Sequence, residues 1–359
     1  MKRYVVVGML LQSIVSSASA QSSVTLYGSV DNGLTYVNNM GGHSSVLFQT
    51  GISKDNSLGF TGVEDLGGGM TAMFKLENGF SSTTGALEQG GLLFGKQAYV
   101  GLGESNIGQI TLGRQYDFTI LLDPYMACFN CGIYSVENAD LDRVSGERLN
   151  NSAQFRSADF KGFTFGTMYA FGQGAGSLTT NAGRAISADA KYTRGPFSAI
   201  LVYTDINGAP LRAGSLGAPT VLGVPMQSST TLTVDNQRIL AIGALYQFGA
   251  WTPSFSYSNT QLKLGRHTAT DQILRGGTTY QVRPDILLAG QLSADRFQQS
   301  RWYTLNLGFD YLLSKSTDIY IDLAAQRATG AGTVASVFLT APSSTNSQLV
   351  SHIGFKHKF

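Results

Sequence analysis

Ser347-Gln-Leu-Val-Ser-His-Ile-Gly-Phe-Lys-His-Lys-Phe359 reads as a strand with two unlike faces. Leu349, Ile353, Phe355 and Phe359 share one parity, while Gln348, His352, Lys356 and Lys358 share the other. Successive side chains of a strand point to opposite sides, so one face suits hydrocarbon and the other suits water. Ser351 and His357 thin the apolar row without ending it. The segment predicts a membrane-spanning β-strand. Repeated along the chain, the same pattern predicts a closed barrel whose interior carries the function.

Working back from that strand, Tyr303, Leu305, Leu307, Phe309 and Tyr311 alternate with Thr304, Asn306, Gly308 and Asp310. Ile319, Ile321, Leu323 and Ala325 alternate with Tyr320, Asp322, Ala324 and Gln326, and Leu240, Ile242, Ala244, Tyr246 and Phe248 form a further apolar row. Each is a weak signal of period two, and their number gives them force. The connections are of two kinds. Short turns fall near 65–69, 104–107, 158–162, 194–196, 249–250, 284–285 and 314–316. Longer polar connections fall near 38–56, 81–96, 116–147, 172–183, 207–236, 265–269, 297–300 and 330–346. Fifteen connections join sixteen strands, an even number that brings both ends of the barrel to one side of the membrane.

Composition agrees with a barrel. The chain has 43 Gly, 8 Pro and 13% charged residues, with mean hydropathy near zero. Hydrocarbon admits only helices or closed barrels, and a barrel wall that is half apolar averages near zero. At the amino end, Lys2 and Arg3 precede an apolar stretch from Val5 to Val15 and then Ala18-Ser19-Ala20. That is the layout of a secretory signal over residues 1–20, too short for a membrane anchor, which needs roughly 20 apolar residues. Without Lys2 and Arg3 the exported part, residues 21–359, has 23 residues of each charge sign. A general nucleic-acid-binding surface is therefore not expected.

Six stretches carry a family resemblance: Gln21-Ser-Ser-Val-Thr-Leu-Tyr-Gly-Ser-Val-Asp-Asn-Gly-Leu, Gly62-Val-Glu-Asp-Leu-Gly-Gly-Gly-Met, Phe94-Gly-Lys-Gln-Ala-Tyr-Val-Gly-Leu, Thr111-Leu-Gly-Arg-Gln-Tyr-Asp, Gly162-Phe-Thr-Phe-Gly and Gly354-Phe-Lys-His-Lys-Phe. In this order they resemble trimeric general porins of Gram-negative bacteria, most closely the β-proteobacterial branch of Burkholderia and Bordetella type. The resemblance spans nearly the whole exported chain. It implies an all-β, sixteen-stranded antiparallel transmembrane barrel, a homotrimer in the outer membrane associated with lipopolysaccharide, and a third external loop folded inward as a constriction. The function it implies is passive diffusion of ions and small hydrophilic solutes, with no cofactor.

The 116–147 connection is longer than an ordinary structureless loop, which favours a functional role. By its residues alone it reads equally as an exposed acidic surface or as an inward fold, and the resemblance decides for the latter. Its carboxylates are Asp117, Asp123, Glu137, Asp140, Asp142 and Glu147, of which the first five are then the constriction acids. Alternation places Lys75 and Glu77 on the inner wall, with Arg156, and with Arg148 if its strand reaches that far. Lys96 is a further basic wall candidate, and Asp189 with Lys191 also fall inward. Strict alternation sends Arg114 outward, and a bulge at Gly113, implied by the family motif, turns it inward. The resemblance also implies arginines where this chain has Ser57 and Thr61, and another near Leu92. Their absence points to weak ion selectivity or a tilt toward cations.

Cys128 and Cys131 lie within the same loop of an exported chain, where oxidising conditions favour a structural disulfide over free thiols. Two thiols without a nearby His do not complete a zinc site. The four His residues do not cluster in sequence, and no serine is singled out as a partner for His352, so an enzyme in the barrel wall has little support. The 207–236 connection, with Pro210, Pro219 and Pro225, reads as an extended external segment. A surface adhesin built on it, and a substrate-selective channel, are the other readings. The first leaves the inner charges unexplained, and the second calls for a ladder of one sign where the charges are mixed.

Overall fold

A computed structural model describes residues 23–126, 128, 131–172 and 182–359 of the chain. The expected signal segment, residues 1–20, lies outside them. Among the described residues, no helix is long and apolar enough to cross a membrane.

The structure is a closed antiparallel barrel. Its strands are β1 (Ser23–Met40), β2 in two pieces (His43–Thr50 and Ser57–Gly67), β3 (Met70–Gly79), β4 (Gln97–Glu104), β5 (Gly108–Tyr116), β6 (Arg148–Ser157), β7 (Phe163–Ala170) and β8 (Ala185–Arg194). They continue with β9 (Phe197–Leu211), β10 (Leu232–Tyr246), β11 (Trp251–Leu264), β12 (His267–Arg283), β13 (Ile286–Phe297), β14 (Ser300–Leu312), β15 (Thr317–Thr329) and β16 (Ser347–Lys358). Each pairs with its sequence neighbours. The ring closes where β1 meets β16, from Ser29 opposite Lys358 to Val37 opposite Val350. Closure pairs the first strand with the last, so neither is left as an open edge in a medium that offers no hydrogen bonds.

The alternation holds through the carboxy-terminal strands. Leu305, Leu307, Ile321, Leu323, Ile353 and Phe355 face outward, while Thr304, Asn306, Asp322, Gln326, Gln348 and His352 are buried inside. Aromatics collect outside near the short turns, including Phe163, Phe197, Tyr246, Tyr280 and Tyr311, and the Trp251 and Tyr280 rings lie 4.2 Å apart. Such rings suit a membrane–water boundary, being apolar in body with a polar tip.

Two connections differ from expectation. The 38–56 stretch is not one loop. β1 runs to Met40 and turns back through Gly41 and Gly42, whose φ values of 62° and 110° favour glycine. The first piece of β2 then pairs along β1, with Val46 and Phe48 facing outward. Only 51–56 leaves the ladder, folding inward before Ser57 resumes pairing with β1. Polar residues at the hairpin tip and in the inward turn merge in the sequence into one apparent loop.

The 207–236 connection is shorter than expected and is not an extended external arm. Strand pairing continues to Leu211 and restarts at Leu232. Between them Ala213, Leu216, Ala218, Val221 and Leu222 are buried in the main apolar cluster. The segment joins the 330–346 connection through the Val334 amide, which donates to the Gly217 carbonyl at 2.9 Å, and the Trp302 indole donates to the Val334 carbonyl, also at 2.9 Å.

Candidate channel constriction

The 117–147 connection enters the barrel and lines part of its wall. Asp117 starts it as an N-cap, accepting from the Thr119 amide at 3.0 Å, and the following 3-10 helix, Phe118–Tyr125, buries Phe118, Thr119, Leu122 and Tyr125 against the wall. Glycines make room for it. A Cβ on Gly166 would stand 2.5 Å from the Phe118 ring, and one on Gly243 would stand 2.6 Å from Tyr125 Cβ. The Phe118 amide donates to Ser187 Oγ at 3.1 Å, and the Tyr125 hydroxyl pairs with Ser198 Oγ at 2.6 Å.

The loop then crosses to the closing seam. The Asn306 amide donates to the Tyr134 carbonyl at 2.9 Å, and the Tyr134 hydroxyl meets Thr35 Oγ1 at 2.9 Å. On the way back, Arg275 holds Asp142 at 2.8 Å and Glu137 at 3.8 Å, and the Gln237 amide donates to the Leu141 carbonyl at 2.7 Å. Arg143 completes the circuit on Asp117 at 2.8 Å. The loop is thus fastened to strands from β8 round to β1.

The five expected constriction acids divide on this geometry. Asp117, Glu137 and Asp142 are buried against Arg143 or Arg275, so they fasten the loop and do not face open water. Asp140 is also buried, bonded to Ser145 Oγ at 2.6 Å, and burial, reinforced by the Asp142 charge, pushes its carboxyl up to about 8. Asp123 alone of the five is exposed, on the side of the 3-10 helix away from the wall. Its enclosure by the barrel pushes its carboxyl up to about 6, with Lys54 opposing the shift and Asp55 adding to it.

The uncovered wall belongs to β3–β6 and the inward turn of β2. That turn is held by Asp31, whose carboxylate accepts from the amides of Ser53 at 2.7 Å and Lys54 at 2.8 Å and from the Tyr320 hydroxyl at 2.6 Å. The Ile133 amide donates to the Ile52 carbonyl at 2.7 Å, joining turn and loop. Lys54 projects exposed, and Asp55 meets Lys96 at 2.7 Å and Arg148 at 3.8 Å. Burial works against the charge on Asp55, but these cations, Lys96 foremost, hold its carboxyl below the usual range.

Of the five basic candidates, four carry a carboxylate beside them. Lys75 lies 3.2 Å from Glu77, and Lys96 and Arg148 share Asp55. Arg156 lies 3.5 Å from Asp189 and over the Phe118 ring at 5.2 Å, while Arg148 stacks on Tyr116. For Arg114 the register slips between Gly113 and Gln115, a bulge with φ 145° at Gly113. Its guanidinium donates to the Gly95 carbonyl at 2.8 Å and to Asn150 at 2.5 Å, and no described carboxylate lies within ion-pair distance. The wall therefore mixes signs at close spacing.

Cys128 and Cys131 are both buried with Cα atoms 5.1 Å apart, within the span of a disulfide. His352 is buried between Thr35 Oγ1 at 2.7 Å and the Tyr320 hydroxyl at 3.1 Å. Sequence reading missed Lys54, Asp55 and the fastening role of Arg275. Strand parity places Arg275 inward with Asp271 and Ile273, a signal available beforehand, whereas the inward turn of β2 leaves none.

Comparison with known proteins agrees with this architecture. A family model described as Gram-negative porin matches residues 9–331. An outer membrane porin protein of Bordetella pertussis is 30% identical over 237 residues, 58% of this chain and 60% of that protein. Outer membrane porin protein 32 of Delftia acidovorans is 29% identical over 368 residues, 96% of each. Among solved structures, an anion-selective porin from Comamonas acidovorans superposes with a TM-score of 0.78 at 26% identity, covering 94% of this chain and 100% of that one.

Proposed function

The chain belongs to the Gram-negative porin family, and on that premise we propose that it is an outer-membrane diffusion channel whose passage runs between the inserted loop and the β2–β6 wall. One observation carries this choice of path. Side chains inside a closed barrel keep contact with water there, with Lys75 at 25% exposure, Arg156 at 28% and Asp55 at 42%. On the opposite side, the wall lies under the loop and its inner side chains are buried.

Ions and small hydrophilic solutes pass down their gradients through this gap, losing little hydration because no site binds them tightly. Low-dielectric walls focus the field of Asp123 on one side and of Lys54, Lys75, Lys96, Arg148 and Arg156 on the other, orienting dipolar solutes. With Asp55, Glu77 and Asp189 set among those cations, the proposal is weak ion selectivity, unlike the anion-selective porin from Comamonas acidovorans. Export by a signal at residues 1–20, assembly as a homotrimer, contact with lipopolysaccharide and a Cys128–Cys131 disulfide stiffening the loop belong to the same proposal. The reading calls for no catalytic step.

Planar-bilayer recording of the refolded protein tests it. Stepwise openings in threes and a reversal potential near zero under a potassium chloride gradient are expected. A folded barrel that carries no current overturns the channel, and a strongly anionic or cationic reversal potential overturns the balanced wall.

A further inference from the structure

The outward wall carries a cationic cluster that the channel does not use. On β12–β16 the carboxylates Asp271, Asp295, Asp310, Asp318 and Asp322 are all buried within the barrel. Facing outward at the long-loop end of the same strands are three exposed arginines, Arg296, Arg301 and Arg327. The ladder sets Arg296 directly opposite Arg301, and Arg327 opposite Tyr303. The three side chains thus leave adjacent strands within two residue rows, roughly 7 Å along the strand direction. No described residue makes a hydrogen bond or ion pair with any of them.

Such a cluster needs an account. Like charges directly opposed on antiparallel strands repel. An arginine turned toward lipid is costly at mid-membrane and tolerable only near the interface. Nothing in the described chain offsets the repulsion, whereas an anion set between the strands does.

Beneath the arginines the wall is hollowed. A groove of about 780 Å³ is lined by Phe255, Leu274, Gly276, Leu292 and Leu305, with Arg327 among its lining residues. Gly276 leaves open space, since a Cβ there meets nothing within 4 Å. A cationic rim above an apolar groove on a lipid-facing wall complements an amphiphile with an anionic head and a hydrocarbon tail.

We propose that Arg296, Arg301, Arg327 and this groove form a docking site for one phosphorylated lipid of the outer leaflet, of the lipopolysaccharide type. Its phosphate groups bridge the arginines, and one acyl chain lies in the groove. The planar guanidinium fork matches phosphate oxygens two at a time, and a phosphate shared by Arg296 and Arg301 turns their repulsion into a clamp. A zwitterionic phospholipid brings an ammonium group to the same rim and fits less well. The inference rests on the outer-membrane placement above and deepens it by naming the contact.

The test counts bound lipid by native mass spectrometry on protein purified in dodecyl maltoside. The probes are bisphosphorylated lipid A, lipid A stripped of both phosphates, and inorganic phosphate as competitor. The parent protein is expected to hold the bisphosphorylated form at least tenfold more tightly than the stripped form. R296Q/R301Q/R327Q is expected to lose that preference and R301Q alone part of it, while K263Q, an outward basic residue outside the cluster, keeps it. G276L, which fills the groove, is expected to weaken both lipids. An unchanged preference in the triple variant, or equal binding of the two lipids by the parent, overturns the proposal. Displacement by inorganic phosphate at equal concentration reduces the site to a simple anion site and overturns the lipid. Bilayer current from the same samples keeps the two readings apart, because loss of the lipid preference with normal current leaves the channel standing, and absent current in the parent strikes the channel alone.

Discussion

Arg143 Nε stands 2.8 Å from Asp117 Oδ2, both side chains almost wholly buried, and the pair joins the beginning of the inserted loop to its return. Removing one member strands the other charge away from water, at a cost of about 3–5 kcal/mol, whereas removing both costs much less. R143A is therefore expected to lower the temperature at which the heat-modifiable electrophoretic band converts and to add flicker to single-channel records. D117N/R143A is expected to recover much of both. A double variant as damaged as R143A contradicts the charge account.

Arg275 is the second fastening, held between Asp142 and Glu137. R275M is expected to close at lower applied voltage than the parent, because two buried carboxylates lose their cation and the return limb loosens. E137Q/D142N/R275M removes the charges together and is expected to close near the parental voltage. Recording closure against voltage for the three proteins decides it.

Asp123 should make ion preference depend on pH. Its carboxyl is pushed up to about 6, so it is negative above that pH and neutral below it. As pH falls through about 6, cation permeability relative to anion permeability is expected to drop. The reversal potential of D123N, measured under the same gradient, should stay flat across that interval. A parent channel whose reversal potential does not move places Asp123 away from the ion path.

Asp55 neutralises Lys96 and Arg148 on the opposite wall. D55N frees both cations, and at a few ångströms in a water-filled gap one charge is worth on the order of 1 kcal/mol. The permeability ratio is expected to shift toward anions by about two- to fivefold. No shift, with the barrel folded, excludes the inward turn of β2 from the ion path.

The barrel was legible because period two is a local property. The alternation of Leu349 through Phe355 needs no knowledge of distant residues, and the ladder between β1 and β16 follows once every strand has two faces. The fate of the loop acids was not legible. Asp142 is neutralised by a residue 133 positions further on, and whether it faces water or Arg275 depends on how the loop lies across the wall. Arg114 was readable only through a family motif, since its bulge shows in the register and not in the pattern of residue types. The inward turn at 51–56 hid for a related reason, because it is held by Asp31 from β1 and no local signal separates it from a surface loop.

Closure of the ring also governs how the chain must fold. Thr35 and His352, bonded across the seam, are 317 positions apart, and all the contacts between β1 and β16 are of that kind. Loop-closure entropy is met before any such contact returns it, so pairings this distant are slow to form. Until the seam is made, two strand edges stay open to other chains. Half a barrel is then not half as stable but a template for aggregation, and the seam is the step an assembling chain most needs to have shielded.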